Sequence, residues 1–183
     1  MKSRLHRAES MGRDWIAARI PHRGAMCLLH RVEDWDEQRI RCSAVSHRAP
    51  DNPLRAHGRL AAACGIEYAA QAMAVHGALI APRDAPPRLG YLASVRGAVL
   101  HVGRLDDIAA DLTVEATRFS GDGNTILYDF ALRAAGRVLL EGRAAVILDA
   151  HAGSVNPSPL PNPLPEGEGE NRARCNQDFI VPD

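Results

Sequence analysis

From Leu60 to Leu79 the chain runs twenty residues with one formal charge at neutral pH, Glu67. The rest is largely alanine, joined by Ile66, Met73 and Val75, with Gly77 and Pro82 closing the segment. A helix this apolar on all sides has to be buried. Its small side chains let a covering layer approach closely. The sequence around it supplies such a layer as strands. Leu28 to Trp35 and Arg39 to Ser46 read as strands joined by the turn Asp36-Glu37-Gln38. In the second, Ile40, Cys42, Ala44 and Ser46 alternate with Arg41, Ser43, Val45 and His47. After the helix, strands are expected at Leu89 to His101, Ala110 to Phe119, Thr125 to Ala134 and Arg137 to Ala150. Their turns carry Asp106-Asp107, Gly121-Asp122-Gly123-Asn124 and Gly136. Antiparallel strands interrupted by one long helix predict an α+β fold.

A short helix capped by Ser10 and running through Ala18, carrying Trp15 and Ile16, precedes the first strand and is ended by Pro21 and Gly24. The loop Arg48 to Gly58, with Pro50, Asp51, Asn52 and Pro53, leads into the long helix, and Arg83 to Arg88 is a proline-rich loop behind it. The folded unit is therefore expected over 14–150. Residues 1–13 form a basic, polar N-terminal tail. The segment 151–183 is expected to be disordered, because five prolines from Pro157 to Pro165 and the run Glu166-Gly167-Glu168-Gly169-Glu170 have no apolar period to offset ordering entropy.

Composition removes several function classes. Lysine plus arginine equals aspartate plus glutamate, 22 against 22, so the chain carries no broad field for nucleic acid. Its apolar stretches fall short of the roughly 20 residues of a membrane helix, and the N-terminus lacks the pattern of a signal peptide. Cys27, Cys42, Cys64 and Cys175 form no CxxC pair and read as thiols of a reducing cytoplasm. No zinc spacing, GxSxG elbow, HExxH or phosphate-binding loop is present.

What remains is acid–base chemistry. A carboxylate on a buried helix tends to have a shifted proton affinity, which suits proton transfer. Gln71 follows Glu67 at i+4 and shares its face. A histidine near the mouth of the helix is the natural partner, and His47 and His57 flank the loop that leads there. The other histidines read less well: His22 lies near a turn, His30 at a strand start, His76 at the helix end and His101 at a strand end. Gly65, in the first turns of the helix, is a candidate to offer a backbone N–H to developing negative charge.

Three segments together resemble the 3-hydroxyacyl-acyl-carrier-protein dehydratases, with greatest likeness to the aryl-polyene-type branch. They are Ile20-Pro21-His22-Arg23-Gly24-Ala25-Met26-Cys27-Leu28-Leu29-His30-Arg31-Val32, then Gly65-Ile66-Glu67-Tyr68-Ala69-Ala70-Gln71-Ala72-Met73-Ala74, then Gly90-Tyr91-Leu92-Ala93-Ser94-Val95. The resemblance covers about 14–150. It implies a hotdog fold, an antiparallel sheet wrapped around one central helix. It implies dimers, as a homodimer or a heteromer with another hotdog subunit, whose sites lie at the interface. Each site takes a histidine and the helix glutamate from different protomers, and uses no metal or organic cofactor. The substrate rides on acyl carrier protein.

On that pattern Glu67 is the acid that protonates the leaving 3-hydroxyl, and Gln71 orients it. His47 is the favoured base for the C2 proton, with His57 kept open, and the Gly65 amide polarises the thioester carbonyl. The sequence departs from the pattern at Asn52, where many relatives hold a histidine before proline, and at Ala61-Ala62-Ala63. Two other readings stay open: a hotdog thioesterase, which would share fold, dimer and thioester, and a catalytically weak partner subunit, which the departure at Asn52 favours. Arg48, Arg55 and Arg59 are expected near the entrance, facing acidic carrier protein or its phosphate.

Overall fold

A computed structural model describes residues 6–7, 11–82, 89–121 and 124–149. Seven antiparallel strands form one sheet in the order β1-β2-β3-β5-β6-β7-β4. They are β1 (His6–Arg7), β2 (Arg31–Trp35), β3 (Arg39–Ala44), β4 (Leu89–Leu100), β5 (Leu112–Gly121), β6 (Thr125–Ala134) and β7 (Arg137–Asp149). Helix α1 (Arg13–Ala17) precedes β2, and the long helix α2 (Gly65–Ile80) lies between β3 and β4. The expected α+β arrangement is therefore present. Residues assigned to an N-terminal tail do part of this work: His6 pairs with Trp35, and Gly12 bridges Arg31. The expected cap Ser10, the loop 83–88 and the segment 150–183 lie outside the described residues.

The sheet follows the sequence pattern closely. In β3, Ile40, Cys42 and Ala44 are buried while Arg41 is exposed. In β6, Ile126, Tyr128, Phe130 and Leu132 alternate inward. β6 turns into β7 through Ala135 and Gly136, both at positive φ (47° and 79°), the twist that a two-residue hairpin favours. α2 packs against β3, β5 and β6, burying Tyr68, Ala69, Ala72, Met73 and Val75. Close approach is a geometric requirement at Gly65. A Cβ there would lie 2.7 Å from Leu140 Cδ2 and 2.8 Å from Leu132 Cδ2.

α2 begins five residues later than its apolar run predicts. Leu60 to Ala62 are drawn onto the segment 103–106 instead. Leu105 N donates to Leu60 O (2.8 Å), Ala62 N donates to Gly103 O (3.1 Å), and Leu60 N donates to Asp106 Oδ1 (2.8 Å). Asp106 is nearly buried between Arg104 and Arg55. The Arg104 guanidinium and then the Leu60 N–H hold its carboxyl below the usual carboxylate range. These long-range bonds outweigh the helical preference of alanine, and only a 3-10 turn (Ala62–Cys64) links them to α2.

Two histidines are buried away from solvent. His76 Nε2 donates to Asp36 O (2.9 Å), a carbonyl that can only accept, so Nδ1 accepts from Tyr128 OH (3.0 Å). By the same reasoning His47 Nε2 donates to Ile108 O (3.0 Å). Burial pushes both imidazoles below their ordinary range, and pushes the Tyr128 phenol up to about 12.

Two outcomes are expected. Gly65→Ala drives a methyl into two core leucines and lowers unfolding free energy by about 1–3 kcal/mol, measured by urea denaturation. The buried histidines make stability pH-dependent. Below the ordinary histidine value of about 6.5 the unfolded chain protonates first, so stability is full above that value and falls as pH drops below it. The urea midpoint should fall between pH 7.5 and pH 5.5, and fall less steeply in His47→Gln.

Candidate active site

Glu67 sits in the first turn of α2, two residues past Gly65. Its Oε1 receives two donors. Gln71 Nε2 lies 3.0 Å away across one helical turn, as the i+4 spacing predicts. His22 Nε2 lies 3.0 Å away on the other side. The Gln71 amide has one possible orientation. Its Oε1 accepts from Leu28 N (2.9 Å), so its NH2 donates to Met26 O (2.8 Å) and to Glu67. Gln71 is fully buried, whereas the side chains of His22 and Glu67 keep 27% and 31% of their exposure. The carboxylate is thus less buried than the apolar run implies, because it lies on the side of α2 that faces residues 20–28 and solvent. Both donors engage Oε1.

His22 reaches Glu67 because its turn is braced on both sides. Arg23 spans it with hydrogen bonds to the carbonyls of Ala17, Ile20 and His22. Arg13 ties Gly24 O (2.9 Å) back to α1. Gly24 takes positive φ (54°), which a side chain resists. The imidazole Nδ1 of His22 is buried without a hydrogen-bond partner among the described residues. Its chemistry toward Glu67 therefore runs through Nε2.

Of the residues singled out from sequence, Glu67 and Gln71 come together; His47, His57 and Gly65 do not join them. His47 was favoured as a strand-end residue, but β3 stops at Ala44 and His47 falls in a 3-10 turn (Ser46–Arg48) that is buried against Ile108. It is fully enclosed within the chain. His57 is exposed in the loop before α2 at positive φ (51°), and its side chain makes no hydrogen bond to the described residues. It stands apart from Glu67 within its own chain. The Gly65 N–H is already directed at the carbonyls of Ala62 and Ala63, and its α-carbon faces Leu132 and Leu140. That geometry is packing, not an open oxyanion site.

Arg55 also turns inward. It donates to Ala49 O, Gly58 O and His47 O and pairs with Asp106 at 3.8 Å. Arg48 pairs with Asp111 at 2.7 Å, and Arg59 is exposed. Sequence reasoning passed over His22. The signal was present in the Pro21-His22-Arg23-Gly24 turn, which reads as punctuation until Gln71 draws residues 26–28 onto the helix.

No helix among the described residues is long and apolar enough to cross a membrane. The ApeP-like family, described as ApeP dehydratase, matches residues 15–154. No curated protein matches the chain. Among solved structures, the dehydratase heterocomplex ApeI:P from Xenorhabdus doucetiae is similar at 21% identity and TM-score 0.67, covering 74% of this chain and 91% of that one. A glutamine-to-alanine mutant of a thioesterase from Pseudomonas aeruginosa is similar at 17% identity and TM-score 0.50, covering 64% and 79%. At these identities both likenesses concern fold, and they bear out the hotdog architecture. With the family match spanning most of its length, the chain belongs to the ApeP-like dehydratase family, as a hotdog protein built around the Glu67 helix.

Proposed function

We propose that the protein is a 3-hydroxyacyl-acyl-carrier-protein dehydratase, converting a 3-hydroxyacyl thioester to the trans-2-enoyl thioester and water. It would serve fatty-acid or aryl-polyene-like chain building in the cytoplasm. The observation that carries this reading is the single carboxyl of α2, held at Oε1 by His22 and Gln71 with Oε2 left open.

In the elimination, the C2–H and C3–O bonds break and a C2=C3 double bond forms. One group takes the C2 proton and another gives a proton to the departing hydroxyl. Glu67 fits the second role. An acid proton on Oε2 leaves Oε1 as a carbonyl oxygen that accepts both N–H groups. The first role falls to a histidine. His57, exposed and uncommitted in its own chain, is the candidate when a second protomer completes the site. His22 steadies Glu67 through Nε2, and after product release the proton taken from C2 leaves the base to solvent while Glu67 regains one from solvent, so that only water is lost from the substrate.

A second subunit has a place to dock. β4 ends the sheet, and Tyr91, Leu92, Val99 and Leu100 are exposed along it. An open, apolar edge strand is a liability unless another chain covers it. The occupant is a second hotdog subunit, either another copy or a relative, as in the Xenorhabdus heterocomplex. Thioester cleavage is the competing chemistry, since an ionised Glu67 could also act as a base toward water.

Wild type and variants would be incubated with a 3-hydroxyacyl-carrier-protein and the acyl product followed by mass spectrometry. Loss of one water is expected in wild type. Glu67→Gln should lower the rate by about 100-fold or more, and His22→Ala by about tenfold or more. His47→Ala should cost stability while leaving the rate per folded molecule intact. Loss of activity in His57→Ala would identify the C2 base. Release of free acid would instead establish a thioesterase. For the interface, Leu92→Glu with Leu100→Glu should convert dimer to folded monomer in analytical ultracentrifugation and abolish activity.

A further inference from the structure

Asn52, where the family resemblance would place a histidine before proline, is 5% exposed and its side chain is fully committed. Its Nδ2 donates to Ser46 O (2.8 Å) and to Tyr68 OH (2.9 Å), and its Oδ1 accepts from Leu54 N (2.9 Å). A neutral imidazole offers one donor and one acceptor, so histidine could not satisfy all three partners. Asparagine here answers a geometric demand.

The hydrogen bonds beyond Asn52 run in one direction. Tyr68 OH already accepts from Asn52, and Ser46 Oγ gives its proton to Leu28 O (2.7 Å), a carbonyl that only accepts. Tyr68 must therefore donate to Ser46 Oγ (2.9 Å). On the other side of the same residue, Leu28 N donates to Gln71 Oε1 (2.9 Å), and Gln71 donates to Glu67 (3.0 Å). The two bonds at Leu28 belong to different peptide groups. What passes through Leu28 is position, not a proton. An apolar cluster of the same shape could be as stable, and this polar one ends on the only carboxylate of α2.

We propose that Asn52 and Tyr68 are positioning residues for the Glu67 carboxyl, acting through Ser46, Leu28 and Gln71. The inference rests on Glu67 being the reacting group. When either residue loses its polar atoms, Leu28 shifts, the Gln71 amide loses its fixed orientation, and Oε2 leaves the reacting position.

The test uses full-length Asn52→Leu and Tyr68→Phe, with Gly136→Ala in the β6–β7 turn as a control destabilised far from the site. Two properties are read: kcat and KM on a 3-hydroxyacyl-carrier-protein, and the Gln71 side-chain NH2 signals in 1H–15N spectra. Both variants should lower kcat by about ten- to hundredfold, keep KM within about twofold, and move the Gln71 signals. Gly136→Ala should change neither. If the Gln71 signals stay in place in both variants, the proposal is overturned whatever the wild-type activity. If wild type removes no water but the Gln71 signals move in both variants, the positioning network stands and the dehydratase reading fails.

Discussion

Gln71 is the interaction on which the site depends. A buried amide costs several kcal/mol if its polar atoms go unpaired, and here each is used: Oε1 by Leu28 N, and Nε2 by Met26 O and Glu67. These bonds reach across more than forty residues of sequence and fasten the segment before β2 onto α2. Once residues 26–28 are fixed there, the braced turn Pro21–Gly24 can go only a short distance. Its histidine then meets the helix carboxylate at 3.0 Å. The geometry around Glu67 is thus a consequence of one side chain that satisfies its own hydrogen-bonding needs.

What the sequence disclosed depended on whether the relevant forces were local. The alternation of β3 and the run of β6 express a period that the sheet imposes residue by residue, and both strands lie close to where the pattern puts them. Glu67 and Gln71 were legible as a pair because a helix turns once every 3.6 residues. His22 was not, because its approach to Glu67 is made by Gln71, Arg23 and Arg13 acting over distances that no periodicity encodes. The start of α2 was misplaced for the same reason. Leu60 to Ala62 have helical preference, but Asp106 and Gly103 compete for their backbone groups and win. His47 shows the converse: the strand pattern continues it on the side of Arg41 and Ser43, whereas the strand ends at Ala44 and His47 is buried in the 3-10 turn that follows.

Asn52 changes meaning once its contacts are known. As a substitution for a histidine it reads as loss of a catalytic group. In the fold it is the residue type whose donors and acceptor match Ser46, Tyr68 and Leu54 together. A position that supplies a reacting group in one protein can supply rigidity in another, provided a second histidine reaches the carboxylate by a different route. His22 reaches the Glu67 carboxylate from its own turn here, at 3.0 Å.

The remaining constraint is water. Proton transfer to and from carbon is most efficient where solvent is excluded, yet Glu67 and His22 keep about three-tenths of their exposure in the isolated chain. Gln71 and the His22 turn both hold Oε1 of this carboxyl, and the side chain remains about three-tenths exposed. The protomer leaves part of the Glu67 side chain and the apolar residues of its edge strand β4 exposed. Under the proposed reading, a second hotdog subunit on β4 would bury the apolar edge, and its approach would also have to enclose the carboxyl and bring the base. On this argument assembly and catalysis are linked in the same free energy, and a weakened interface should cost activity before it costs the fold.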